Sequence, residues 1–180
     1  SNPTAILDDA YQFDFFHGGD LDIAFLGFAQ VDQFGNVNSS RFGSIITGSG
    51  GSIDISQNAK RLVYCGSFAV KSEQTVNEDG LQISNPGKFK KFVKQVQQIS
   101  FSGKFALERN LEVLYVTERA VFKLIPDGLE LIEIAPGIDL QKDILDMMDF
   151  APVVSPGLKT IPLKVFDNGL LGLAKDFGNM

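Results

Sequence analysis

The chain has 180 residues, 44% of them hydrophobic, with 16 Phe and no Trp, so it can bury one core and is not a disordered polymer. A formal net charge of −6 argues against a nucleic-acid binder, because phosphate contacts need clustered Lys and Arg. No apolar run reaches the length of a membrane span, and a single cysteine, Cys65, leaves no internal disulfide; with no secretory leader legible at the start, a cytoplasmic location is expected.

Residues 1–3 read as a cut boundary, 4–165 as one domain and 166–180 as a tail. Asn2 to Phe16 is turn-rich and then aromatic, a segment expected to lie on the core, and His17-Gly18-Gly19-Asp20 reads as a turn. Leu21 to Phe28 is a short apolar run after that turn, a buried strand. Gly35-Asn36, between the alternating stretches of Gln30 to Asn38, signals a hairpin. The glycine-rich Thr47-Gly48-Ser49-Gly50-Gly51-Ser52 comes next, then a short helix over Ile53 to Ala59 and a central strand over Arg61 to Phe68.

Asp79-Gly80 predicts a second hairpin within Ala69 to Ser84. In Phe89 to Phe101 the β-branched residues favour a strand over a helix. The run Lys88-Phe-Lys-Lys91 with Lys94 is either a solvated face or a contact for an anionic ligand. Gly103 to Arg109 reads as a short helix and Leu111 to Thr117 as a strand. Pro126-Asp127-Gly128 marks a third hairpin between Glu118 and Glu133. After the break at Ala135-Pro136-Gly137, Asp139 caps a helix running to Met148, with Asp143 in its first turn. Ala151 to Val154 and Ile161 to Phe166 are short extended pieces, and Asn168 to Met180 a frayed end. Strands alternating with short helices, plus three hairpins, predict an α/β fold: an open mixed, largely parallel sheet with flanking helices.

Few residues carry chemistry by type and spacing. Three glycines in four residues allow positive φ and free backbone N–H groups, which suit a phosphate, a carboxylate or an oxyanion, or form only a tight strand-to-helix turn. No Lys-Ser/Thr follows, so the loop is not a Walker loop, and the dinucleotide fingerprint fails on its third glycine. His17, the only histidine, has no ligand cluster, so no metal is expected. Cys65 sits in an apolar strand without a visible base and reads as a buried, inert thiol. Glu118 at a strand end suits a catalytic carboxylate, but an ion pair with Arg119 closing the hairpin is the favoured reading.

Several motifs in one order add to this. Gly18-Gly19 with Leu21 to Asp32, Gly35 to Asn38, Gly48 to Gly51, Ser56-Gln57-Asn58-Ala59-Lys60, Val116 to Phe122 and Leu131 to Asp139 together resemble the family I CoA-transferases, from Pro3 to about Pro156. The chain looks like the C-terminal, β-subunit-like half of an acetate, propionate or 3-oxoacid CoA-transferase. The resemblance implies a CoA-transferase fold and transfer of CoA from an acyl-CoA to a free carboxylic acid through a glutamyl-CoA thioester, in short-chain acid or ketone-body metabolism. It assigns the oxyanion hole to Ser49, Gly50 and Gly51, with Gly48 and Ser52 as substrate-binding neighbours. It implies coenzyme A as substrate with no resident cofactor, an N-terminal α-subunit-like half as partner, and a homo-oligomer. The family's nucleophile lies in a Glu-(Ser/Asn)-Gly motif before the position matching Asn2. No such motif occurs here, since Glu78-Asp79-Gly80 is a hairpin turn, so no catalytic residue is assigned in this chain and the chain alone is expected to be inactive. Ser52 also stands where a larger apolar residue is common. Two alternatives remain: an acyl-CoA hydrolase, and a non-catalytic sugar-phosphate or anion-binding module on the same scaffold.

Overall fold

The computed structural model describes residues 2–19, 21–167 and 169–172. In chain order its elements are α1 (Asp9–His17), β1 (Ala24–Gly27), β2 (Gln30–Asp32), β3 (Val37–Asn38), β4 (Arg41–Phe42), β5 (Ile45–Ile46), α2 (Ser52–Asn58), β6 (Arg61–Cys65), β7 (Ala69–Val70), β8 (Glu73–Asn77), β9 (Gly80–Asn85), β10 (Phe89–Lys90), β11 (Phe92–Val93), α3 (Gly103–Glu108), β12 (Glu112–Val116), β13 (Ala120–Ile125), β14 (Gly128–Ile134) and β15 (Val153–Thr160).

Six strands make the main sheet in the order β1-β6-β12-β13-β14-β15. The first three are mutually parallel, β12, β13 and β14 alternate in direction, and β15 returns parallel to β14. The expected open, mixed, largely parallel sheet is thus observed, and the three glycine-marked hairpins are β2–β3, β8–β9 and β13–β14. Alternation drives the centre: in β6 and β12 every second side chain (Leu62, Tyr64, Val113, Tyr115) is buried. Register sets Tyr64 beside Tyr115, their rings stacked at 5.8 Å and 14°. The Tyr115 hydroxyl is satisfied by donating to the Gly35 carbonyl at 2.6 Å. A second aromatic cluster lies on Phe92, whose ring stands 4.9 Å from both Phe68 and Phe122.

Several expectations fail for identifiable reasons. The aromatic N-terminal segment is a helix, α1, with no buried residue; it lies on α2 instead of the core. Leu21 to Phe28 yields only the four residues of β1, at the sheet edge, where Phe25 is 67% exposed. An edge strand has a neighbour on one side only, so an apolar run there need not be covered on both faces. Phe89 to Phe101 is not one strand: β10 pairs with β7, β11 pairs with β2, and the rest is loop down to a single bridge between Val37 and Phe101. A hairpin, β4–β5, precedes the glycine turn with Ile45 and Ile46 exposed. The segment after Asp139 is capped as expected, Asp139 accepting from the Lys142 N–H at 2.7 Å, but winds as a wide π turn over Leu140–Ile144 and a 3-10 turn over Leu145–Met147. Val153–Thr160 is one long strand, and Leu163–Phe166 is a 3-10 turn, not an extended piece. The expected frayed end lies mostly outside the described residues.

Candidate active site

The glycine stretch forms one compact turn between β5 and α2. Gly48 and Gly50 take φ of +78° and +52°, a region open to glycine, which is why they flank Ser49. The Ser49 carbonyl accepts both the N–H of Ser52 at 3.1 Å and its hydroxyl at 2.7 Å, so Ser52 folds back and locks the turn. Among the described residues no group accepts from the backbone N–H of Gly48, Ser49, Gly50 or Gly51. Those donors face an environment where Gly48 and Gly50 are exposed and Ser49, Gly51 and Ser52 half-buried. Gly51 sits under α1: a Cβ there would lie 2.6 Å from the tip of the Phe13 ring. Helix α1 is also tied to α2 by His17 and Asp54 at 3.0 Å.

A cleft of about 710 Å³ opens between the β1–β2 connection and the β4–β5 hairpin. It lies at the C-terminal end of β1, the end of a parallel strand where ligands collect in open α/β sheets. None of Gly48 to Ser52 lines it, but its wall includes Ser39, whose hydroxyl is 3.3 Å from that of Ser52. Phe28, Phe42, Val70 and Phe89 make its apolar surface. Gln97 fixes one rim, donating to the Gly43 carbonyl at 2.7 Å and accepting the Gly43 N–H at 2.9 Å. Three cations reach the cleft: Arg41, Lys90 and Lys91.

The lysine run therefore does not form one solvated face. Lys90 pairs with Asp149 at 3.0 Å, whereas Lys91 is buried, 7% exposed, with its ammonium 4.1 Å above the Phe28 ring. Burial pulls the Lys91 pKa below its ordinary value, opposed by the nearby Glu118 carboxylate. Glu118 and Arg119 make the expected ion pair, at 3.4 Å, but it is buried and not on the surface. Arg119 is fully enclosed, donating to the carbonyls of Pro86 at 2.8 Å and Asp143 at 3.1 Å, and Glu118 accepts the Phe68 N–H at 2.9 Å. Burial lowers the Arg119 pKa too, with Glu118 and Asp143 acting against it.

Cys65 departs from expectation: it is exposed at the end of β6, on the side chain alternation that turns away from the core. Its partial burial still pushes the thiol up. Among the described residues, no three His, Cys, Asp or Glu side chains gather as a metal site. Sequence reasoning singled out the glycine turn but not Ser39, Arg41 or the inward orientation of Lys91. Only the lysine run offered a signal, and its one-dimensional pattern does not say which member turns in.

No family model matches the chain. An acetate CoA-transferase of Escherichia coli, YdiF, is 54% identical over 172 residues, 95% of this chain and 32% of that protein. A caffeate CoA-transferase of Acetobacterium woodii is 48% identical over 177 residues, 96% of this chain and 34% of that protein. The structure of the Escherichia coli acyl-CoA transferase YdiF, solved as a thioester complex with CoA, superposes with a TM-score of 0.92 at 52% identity, covering 95% of this chain and 34% of that one. The chain thus spans about a third of the length of the curated relatives it matches.

Proposed function

From a chain that belongs to the family I CoA-transferases, we propose a β-subunit-like part, residues 4–165, of an enzyme that moves CoA between an acyl-CoA and a free carboxylic acid. A glutamate outside this chain attacks the acyl-CoA carbonyl; the C–S bond breaks and CoA leaves as thiolate. The thiolate attacks the glutamyl carbonyl of the resulting anhydride, releasing the first acid and leaving a glutamyl-CoA thioester. The acceptor carboxylate then runs the same two steps in reverse. Each addition puts negative charge on a carbonyl oxygen. The observation that supports a role for this chain is the set of amides over Ser49, Gly50 and Gly51 that have no acceptor among the described residues, in a turn whose Ser52 hydroxyl lies 3.3 Å from that of Ser39 on the cleft wall. A preformed N–H aimed at such an oxygen contributes about 3–4 kcal/mol. Gly48 and Ser52 hold the turn's shape. The same reading carries an N-terminal α-subunit-like partner half, homo-oligomeric assembly and a cytoplasmic location; among the described residues no helix is long and apolar enough to cross a membrane.

The test compares Gly51→Pro with Gly51→Ala in the full-length protein. Both add the same Cβ against Phe13, and the Gly51 φ of −78° admits proline, but only proline removes the N–H. With acetyl-CoA and short-chain acids, proline should lower kcat roughly a hundred- to a thousandfold below alanine. Equal losses in the two variants would remove the turn from the chemistry. Release of free CoA without an acceptor acid would instead mark a hydrolase.

A further inference from the structure

We infer that Lys91 is the carboxylate receptor of the cleft and that the cleft takes the apolar tail of a medium-chain or aryl carboxylic acid. The inference rests on the transferase reading for its biological meaning, but its binding claim stands on the cleft alone.

A buried ammonium is costly unless it is paired and hydrogen-bonded. Lys91 is 7% exposed as a residue, though its amine is not among the fully enclosed polar atoms; among the described residues no carboxylate lies within 4.0 Å of it and it donates to no protein acceptor. Its support within the protein is the Phe28 ring at 4.1 Å and the longer-range field of Glu118. The position is built: Gly66 leaves the space for it, since a Cβ there would stand 2.9 Å from the Lys91 nitrogen and 3.0 Å from Phe28. Lys91 is among the residues that line the cleft and its amine keeps some accessible surface, so its donors are available to whatever enters. Lys90, the neighbouring cation, is spoken for by Asp149 and the Met148 carbonyl. Arg41 faces the same space, its Nε bonded to the Gly43 carbonyl and no carboxylate within 4.0 Å among the described residues. The cleft thus presents two cations without a carboxylate partner amid a wall of Phe28, Phe42, Val70 and Phe89. An inorganic anion matches the charge but not the wall, and a neutral lipid matches the wall but not the charge. A monocarboxylate with an apolar body matches both.

The experiment is calorimetric titration of the full-length protein with hexanoate, hexanamide, acetate and adenosine 3′,5′-bisphosphate. It is run on the parent, Lys91→Met and Lys91→Arg, with steady-state kinetics on the same proteins. Hexanoate should bind more tightly than either acetate or hexanamide. Lys91→Met should weaken hexanoate by roughly ten- to a hundredfold, the range for a charge-assisted hydrogen bond, and leave hexanamide unchanged, while Lys91→Arg keeps most of the affinity. In turnover, Lys91→Met should raise KM for the acid with little change in kcat, the signature of a contact made equally in ground and transition states. Unchanged hexanoate binding in a folded Lys91→Met, or loss of the bisphosphate in place of hexanoate, overturns the assignment even if the enzyme transfers CoA normally. Lys91-dependent hexanoate binding in a protein without transferase activity overturns the transferase reading and leaves the assignment standing.

Discussion

The pair Glu118–Arg119 allows a sharp test of what stabilises the base of the cleft. Glu118→Gln keeps an oxygen for the Phe68 N–H and nearly the same volume, so the change is one of charge. It leaves Arg119, with no exposed surface, without a carboxylate within 4.0 Å among the described residues; what remains are two carbonyl acceptors, the Phe68 ring at 5.1 Å and the longer-range field of Asp143. Removing one partner of a buried pair costs about 3–5 kcal/mol because the other charge stays behind. Glu118 is itself 18% exposed, so water screens part of the attraction and the low end, about 3 kcal/mol, is expected. For a chain of this size that is a fall of roughly 6–12 °C in Tm. The chain has no Trp, so unfolding in urea is followed by far-UV circular dichroism and by tyrosine fluorescence. The second arm is Arg119→Met alone and combined with Glu118→Gln. Contact makes the two non-additive, and the double variant should recover about 1–3 kcal/mol of the summed losses. A Glu118→Gln protein within about 1 kcal/mol of the parent, or strictly additive losses, would show that the carbonyls alone hold Arg119 and that the buried-charge argument fails.

Two further outcomes follow from burial. Burial raises the phenols of Tyr64 and Tyr115 above their ordinary value, so the folded state holds protons that the unfolded state releases; their contribution is complete below the unfolded phenol pKa and is lost as pH rises above it. Absorbance at 295 nm from these two rings should therefore appear together with loss of circular dichroism, and ionisation of both in a still-folded chain would contradict it. Gly103→Ala should destabilise by about 1–3 kcal/mol in urea although alanine is the better helix former, because its Cβ would overlap the Phe34 carbonyl oxygen; a stabilised variant would mean that the β2–β3 loop yields freely.

How much of this was legible depended on whether a residue's meaning was local. Gly35-Asn36, Asp79-Gly80 and Asp127-Gly128 announce their hairpins because backbone conformation at two residues decides the turn. The glycine turn before α2 is of the same kind. β15 is the opposite case. Ala151 to Val154 reads as a short extended piece, yet the strand runs on to Thr160, because a register shift against β14 between Leu131 and Glu133 absorbs the extra length. Helix α1 carried no signal either. It has no buried face, and what holds it is the Phe13 ring at Gly51 and the His17–Asp54 pair, both contacts with residues some forty positions away.

The lysine run shows most clearly why a site can escape a sequence. Lys90 and Lys91 are adjacent and chemically identical, and any pattern score treats them alike. Lys90 closes β10 while Lys91 sits at the bend before β11, so their side chains leave in different directions. One meets Asp149, 59 positions further on, and the other enters the interior between Phe28 and the space left by Gly66. The distinction is made by β7 and β2, which hold the two short strands from opposite partners. The same bend couples Lys91 to Glu118, whose carboxylate sustains the lysine's charge against burial. Glu118→Gln removes that support, so the alkaline pH at which hexanoate binding is lost should move down relative to the parent. The calorimetry separates this from general loosening: hexanamide binding, which needs the wall but not the charge, should survive.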